Sequence, residues 1–189
     1  MTGQVQLDSY ADAGVLVAVG LVNVLAVGRG RGRSAAGSGI VPALAEVLAL
    51  DPPSVAQLGV GDVPGFGALA RRLRGVFDDL DGGDVDAAAS RLNRLLARHP
   101  AHPHLAREDG QWRLHHHPVD AALVPMWTAV CAEGLARLIG AGHASRLGTC
   151  EDADCDRVFV DVSRNGSRRF CSTTCQNRVK AAAFRHRQR

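Results

Sequence analysis

Apolar residues recur with helical spacing through most of the first 140 positions. The segments predicted as helices are residues 40–50, a stretch from Asp62 to the Gly82-Gly83 pair, a stretch capped by Asp84, and residues 120–139. Proline or a capping side chain stands at the start of several of these segments. Glycine or proline follows the end of several. The pattern therefore predicts a mainly helical body.

A nearly continuous apolar run at residues 15–27 carries one strongly polar side chain, Asn23. The run is too short to span a bilayer, so we interpret it as a buried segment. A buried Asn amide needs hydrogen-bond partners. Asn23 is therefore expected either to bridge neighbouring segments or to contact a ligand. The glycine- and arginine-rich stretch that follows, residues 28–39, is predicted to be a loop.

The pattern changes at residues 104–117, where two short runs flank Asp109-Gly110. Asp-Gly is a typical turn of a tight β-hairpin. The second run ends in His115, His116 and His117, and three adjacent histidines raise the question of a metal site. Because consecutive strand residues point to opposite faces, they do not converge easily on one ion. Ordinary hairpin positions are the preferred interpretation.

Charge is distributed unevenly along the chain. Eight arginine or lysine residues and no acid lie between Arg164 and the C-terminus. The first 163 residues hold the other 14 basic residues and all 19 acidic ones, a balance of −5 within a total of +3. A basic tail on an acidic-to-neutral body indicates a polyanionic partner, most often nucleic acid. A solvated basic tail is the simpler alternative.

Four of the five cysteines lie in the last 40 residues. Cys150 and Cys155 are separated by four residues, Cys171 and Cys175 by three, and the two pairs by fifteen. Two close pairs with a short insert allow four thiolates to surround one ion, which is the spacing of structural zinc. Neither pair has the two intervening residues of a Cys-x-x-Cys redox couple. We therefore predict one structural Zn²⁺ held by these four residues.

The local sequence around the cysteines predicts a treble-clef-like arrangement. The stretch "CEDADC" reads as a knuckle, and "RVFVDV" is predicted to form a hairpin with "RRF" across an Asn-Gly turn. Ser172 is placed to cap a helix that runs to about His186. Four cysteine ligands leave no open position for an activated water, so zinc catalysis is not expected.

Basic and polar residues of this C-terminal unit form the candidate nucleic-acid surface. Arginines and a lysine flank the predicted helix in two strips suited to phosphate contacts. Gln176 and Asn177, just inside the helix, could contact base edges. The candidate contacts are Arg164, Arg168, Arg169, Gln176, Asn177, Arg178, Lys180, Arg185 and Arg187. An equally weighted alternative is that Asn177 and Arg178 fasten the finger to itself or to the body.

The C-terminal stretch resembles the CGNR zinc finger. The matching residues are Cys150, Cys155, "VFVDVSRNGSRRFC", Cys175, the Asn-Arg pair at 177–178, Lys180 and the "FRHR" ending. Gln176 departs from the glycine in the family's name, which affects the expected local contact geometry and not the metal. The preceding body resembles the ABATE domain in "LVNVL", "LARRLR", "LNRLL" and the Asp-Gly hairpin, which fall in order. The resemblance implies a bacterial, cytoplasmic, stress-responsive transcription regulator.

Two domains are thus predicted, an ABATE-like helical domain at 1–143 and a CGNR-type zinc finger at 144–189. The preferred function is a DNA-binding transcription regulator whose zinc finger presents a basic helix. The alternative is a zinc-stapled protein-interaction module without direct DNA binding. Neither a secretory signal nor a nucleophile–base pair or phosphate loop is recognisable, so a cytoplasmic protein that is not an enzyme is expected. A small-molecule effector on the N-terminal domain and a homodimer are left open.

Overall fold

A computed structural model of the chain describes residues 10–26, 39–108 and 110–188. This part contains seven α-helices and two small antiparallel sheets. The helices are α1 Tyr10–Leu25, α2 Ile40–Val47, α3 Pro52–Gln57, α4 Val63–Asp81, α5 Val85–Arg98, α6 Leu123–Gly140 and α7 Thr173–Arg187. The strands are β1 Pro103–Glu108, β2 Gln111–His116, β3 Leu147–Thr149 and β4 Val158–Val160. The predicted class, mainly helical with a C-terminal zinc finger, is confirmed.

Helix boundaries follow the capping chemistry of the sequence. Asp84 accepts a hydrogen bond from the Ala87 amide at 2.8 Å and begins α5. The helix α4 has proline in its first turn and stops at Gly82, and Gly83 takes a positive φ of 79°. The short helix α3 was not predicted, because its Pro-Pro pair was interpreted as a stop. Asp51 instead accepts from the Ser54 amide at 3.2 Å, so the prolines occupy a first turn.

The apolar core of the body lies around α6, which packs against α1 and α5. Trp127 on α6 is fully buried, and its indole N–H donates to Ser54 Oγ at 2.9 Å. By length and composition alone, α6 could cross a membrane. Ten of its residues are buried inside the protein, so α6 is a core helix. The predicted apolar run 15–27 lies largely within α1, which faces the same core.

The strands β1 and β2 form the predicted hairpin, with Glu108 opposite Gln111 and Gly110 at a φ of 80°. Asp109, most of the loop predicted at 28–39, and the chain before Tyr10 lie outside the described residues. His115 and His117 share one face of the hairpin with His104, and the three ring centroids are 5.3 Å apart in each pair. His116 points to the other face, toward Glu133 at 3.5 Å. The alternation expected of strand residues is confirmed.

The second sheet differs from its prediction. We expected β4 to pair with the segment 168–170, but it pairs with β3, which precedes the cysteine knuckle. The reason is burial, since Leu147, Val158 and Val160 belong to the same apolar core as α1 and α4. The predicted Asn-Gly turn is present, with Gly166 at a φ of 61°. The hairpin β3–β4 therefore belongs to the body by packing although it leads into the finger.

Asn23 holds this hairpin in place. Its amide nitrogen donates to the Val158 carbonyl at 2.9 Å, and its amide oxygen accepts from the Val158 N–H at 2.8 Å. The side chain thus pairs with β4 as a neighbouring strand would. On α4, Arg74 donates to the carbonyl of Asp156. The bridging role predicted for Asn23 is confirmed, because both the N–H and the oxygen of its amide form hydrogen bonds with the backbone of Val158.

Candidate metal centre and nucleic-acid interface

The four predicted cysteine ligands converge at the end of the β3–β4 hairpin where a loop joins its two strands. Their sulfur atoms all lie within 4.8 Å of one another. Cys171 Sγ is 3.7 Å from both Cys155 Sγ and Cys175 Sγ. Zinc–sulfur bonds of about 2.3 Å at tetrahedral angles place sulfurs about 3.8 Å apart. The donor set and the spacing therefore fit one structural zinc ion, and within the described residues this is the cluster with metal-binding spacing.

Three of the four ligands are positioned by local hydrogen bonds of their backbone amides. The Cys155 amide donates to the Asp152 carbonyl at 2.8 Å, which closes the knuckle between the first two ligands. The Cys150 amide donates to the Arg157 carbonyl at 2.8 Å and extends the β3–β4 pairing up to the site. The predicted cap is present, because Ser172 Oγ accepts from the Cys175 amide at 3.3 Å. Cys175 therefore lies in the first turn of α7, where the helix N-terminus favours negative charge.

The protonation of the thiols depends on their burial and their neighbours. Burial raises the pKa of the Cys155 and Cys171 thiols. Burial acts in the same direction on Cys150, but its pKa is lowered on balance because amide groups of Cys171 and Asp152 donate to its sulfur. Metal binding needs the thiolate form, so zinc displaces protons from this cluster when it binds.

Asp152 and Arg178 form a support beside the metal site that the sequence analysis did not identify. Arg178 Nε donates to Asp152 Oδ2 at 2.6 Å, and Arg178 Nη2 donates to Asp152 and, at 3.2 Å, to Cys175 Sγ. Asp152 is 4% exposed. The Arg178 guanidinium holds the pKa of Asp152 below its usual range. The signal in the sequence was an acid inside the knuckle and an arginine one helical turn after the last ligand.

Arg168 and Arg169 also make contacts within the finger. Arg168 donates to the backbone carbonyls of Val160, Phe170 and Cys171, and its guanidinium lies 5.1 Å from the ring centre of Phe159. Arg169 pairs with Glu151 and lies 5.9 Å from the ring centre of Phe170. The contacts of Arg178 with Asp152 and Cys175 are those expected if Arg178 fastens the finger to itself. The nucleic-acid role assigned to Arg168, Arg169 and Arg178 stays a prediction.

Other predicted contact residues remain open to solvent. Arg164, Asn177, Lys180, Arg185 and Arg187 are exposed, and Gln176 is half-buried. Within the described residues, the four cations of this set form no ion pair. A groove of about 580 Å³ runs between α7 and the segment 167–170. Its α7 side is formed by Thr173, Gln176, Lys180 and Ala183, and its opposite side includes Arg168, Arg169 and Phe170.

The fold and the site define a class of protein, a helical body that ends in a four-cysteine zinc finger. Residues 146–188 match the CGNR zinc finger. Residues 17–142 match the ABATE family, described as "Putative stress-induced transcription regulator". Because that match covers more than half of the chain, the protein belongs to the ABATE family. A search among curated proteins finds no match.

Proposed function

We propose that this protein is a cytoplasmic DNA-binding transcription regulator whose zinc finger docks α7 and its adjoining groove on nucleic acid. The observation that carries the proposal is a set of cations on α7 that form no ion pair in the part of the chain that the structure describes. Lys180 and Arg187 lie on one side of α7 and Arg185 on another, and each is exposed. The family's description as a regulator supports the same conclusion.

The groove beside α7 supports phosphate contact rather than deep insertion. Gln176, Lys180 and Arg187 are spaced four and seven residues apart, so they form one row along the helix. Phe170 and Val179 give the groove an apolar floor. A nucleic-acid backbone lying along this row would place its phosphates against Lys180 and Arg187, while Gln176 faces into the groove.

Zinc has a structural role in this proposal. Four thiolates complete a tetrahedral shell and leave no position for a reacting water. We therefore propose that the finger supplies a rigid scaffold for α7 and that its metal performs no chemistry. Phosphate recognition would come from the side chains that this scaffold orients.

The experiment replaces two cations that have no ion pair in the described structure. Lys180→Gln with Arg187→Gln should weaken DNA binding by about tenfold or more, since two phosphate contacts are lost. The slope of log affinity against log salt should fall in magnitude by about 1.8. Fluorescence anisotropy with a pool of duplex fragments, at several salt concentrations, measures both quantities.

Arg71→Gln with Arg107→Gln is the charge-matched control, because both side chains are exposed on the body. DNA affinity that falls equally in both double variants would contradict the proposal. Deletion of the finger is less informative, since Leu147, Val158 and Val160 belong to the core of the body. Substitution keeps that core intact.

A protein partner is a second candidate, and one observation favours it. Phe184 on α7 is 55% exposed and follows three alanines that are also exposed. An exposed aromatic ring with small neighbours could pack against another protein. Pull-down from extract before and after nuclease treatment separates the candidates, because a protein complex should survive nuclease. Phe184→Ala should then reduce capture while DNA affinity stays unchanged.

A further inference from the structure

The body carries a basic cleft between α4 and α5, remote in sequence from the zinc finger. It is a cavity of about 150 Å³ lined by Arg72, Arg91, Arg94, Leu95 and Arg98. Four arginines from two helices thus line one small cavity. The rest of the first 163 residues is acidic on balance, so this concentration of positive charge runs against the body's overall charge.

The charges in the cleft are only partly balanced by carboxylates. Asp79 accepts from Arg91 through both of its oxygens, and Asp78 pairs with Arg74 on α4. Within the described residues, Arg72, Arg94 and Arg98 form no hydrogen bond or ion pair through their side chains. One end of the cleft is therefore neutralised by Asp79, and the other end holds three unpaired cations.

The backbone of α4 is shaped to bring this surface together. A Cβ added at Gly75 would lie 2.9 Å from Arg91 Nη1 and 3.0 Å from its Cζ. The glycine lets Arg91 lie directly on α4 and reach Asp79. Arg72, Gly75 and Asp79 follow one another along the same face of that helix. Arg91, Arg94 and Arg98 follow the facing row of α5.

The local potential agrees with this geometry. His99 directly follows α5, and its pKa is lowered by burial and by the nearby charges of Arg72 and Arg98. The positive charges of Arg72 and Arg98 thus disfavour a further positive charge on His99. An anion placed there would relieve repulsion among three guanidinium groups, whose planar forks match the oxygens of phosphate.

We propose that the cleft between α4 and α5 binds a small phosphate-bearing anion, through Arg72, Arg94 and Arg98. The volume has room for a phosphate or a short polyphosphate group, not for a whole nucleotide. Any base or sugar attached to the phosphates would extend into solvent. This inference does not depend on DNA binding by the finger, because it uses none of the finger's residues.

The helix α4 connects the cleft to the finger. Arg74 lies two residues after Arg72 on α4 and donates to the Asp156 carbonyl, next to the zinc ligand Cys155. The same helix packs against β3. The cleft and the contact with the residue beside Cys155 thus share the helix α4.

Calorimetric titration with pyrophosphate tests the proposal. The zinc-loaded wild-type protein should bind one pyrophosphate saturably, and more tightly than sulfate at matched ionic strength. Arg72→Gln with Arg94→Gln should lower that affinity by about tenfold or more, since two charged hydrogen-bond donors are lost. Arg98→Gln should lower it by a smaller factor. Zinc content, measured before and after each titration, confirms that pyrophosphate has not removed the metal.

Control variants keep the test independent of the finger. Arg71→Gln with Arg107→Gln should leave pyrophosphate binding unchanged, and Lys180→Gln with Arg187→Gln distinguishes binding in the cleft from binding at the finger. Equal loss in the cleft and control variants would overturn the proposal, because the anion would then respond to net charge alone. Loss only in the Lys180 and Arg187 variant would also overturn it, since the finger would be the site. A cleft variant that weakens DNA binding but not pyrophosphate binding would assign the cleft to DNA and overturn it as well.

Discussion

The body and the finger are stabilised by different forces. In the body, five helices (α1, α2, α4, α5 and α6) contribute to a continuous apolar core that includes Phe66, Phe77 and Trp127, all fully buried. In α7, Cys175 is the buried residue among the side chains that the structure describes. The finger's own cluster consists of the four cysteines with Phe170 at its margin. Hydrophobic burial can therefore hold the body, whereas α7 depends on a metal and a few charged contacts.

The β3–β4 hairpin shows where one kind of stabilisation gives way to the other. Val158 is 1% exposed and belongs to the body's core, and the zinc ligand Cys155 lies only three residues before it. Asn23 and Arg74 hold this junction from the body's side. Metal binding should thus order the chain beyond the junction and leave the hairpin itself in place. The predictions below test this division.

Removal of zinc should have the largest effect. An isolated 15-residue helix is marginal in water, and structural zinc contributes on the order of 10 kcal/mol of apparent folding free energy. Chelation under reducing conditions should abolish amide protection in α7 while α4 and α6 keep theirs. Hydrogen exchange followed by mass spectrometry measures this directly.

Two cysteine variants sharpen the same test. Cys171→Ser should reproduce the effect of chelation, because it removes one ligand. Cys131→Ala should leave the zinc content at one per chain, since Cys131 is buried in α6 and is not one of the four clustered cysteines. Loss of protection throughout the body on chelation would contradict the division, because it would mean that the metal also holds the apolar core.

The junction residue Asn23 should have the next largest effect. Asn23→Ala removes both hydrogen bonds to Val158 and leaves a buried N–H and a carbonyl without partners. Each unsatisfied group costs about 1–3 kcal/mol, so the free energy of unfolding of the body should fall by roughly 2–4 kcal/mol. Urea unfolding followed by far-UV circular dichroism measures the loss. Asn93→Ala is the matched control, since Asn93 is exposed on α5.

Much of the architecture was accessible from local sequence. Asp84 and Ser172 predicted helix starts because capping acts within one turn, and cysteine spacing predicted the metal site because ligands of one ion must be close. The pairing of strands was harder to predict from the sequence than the helix starts or the metal ligands. The partner of β4 was misassigned because β3 is three residues long, and its place was set by burial of Leu147 against α4. The Asp152–Arg178 pair was also missed, since 26 positions separate its members and local spacing alone does not show that an acid of the knuckle meets an arginine of α7.

That pair gives a prediction about the metal site. Arg178 neutralises the charge beside Cys175 and orients the last ligand. Arg178→Gln should lower zinc affinity by about 10- to 100-fold, the range found when residues that support metal ligands are replaced. Arg178→Lys should recover only part of it, because an ammonium group cannot reproduce the guanidinium's contacts with Asp152 and the sulfur. Competition with a chromophoric chelator measures both affinities.

Arg185→Gln on the same helix is the control for Arg178. Arg185 is exposed, and its substitution removes the same charge from α7 without changing a contact of the cysteine cluster. Equal loss of zinc affinity in the two variants would indicate a general electrostatic effect of α7. In that case the contact between Arg178 and Cys175 would make no specific contribution to zinc affinity.

The smallest expected effect is a pH dependence confined to the body. Burial lowers the pKa of His117 below its ordinary value of 6.5, and the neighbouring His115 and His104 act in the same direction. His117 therefore binds a proton less readily in the folded protein than in the unfolded chain. The stability that is present above pH 6.5 should decrease as the pH falls below 6.5, because protonation of His117 then favours the unfolded chain. In His117→Gln the body should lose less stability between pH 7 and pH 5.5 than in wild type. His102→Gln, at an exposed position, should behave as wild type. A pH dependence that follows zinc release instead of His117 would place the sensitivity in the finger, which the titration of zinc content at each pH distinguishes.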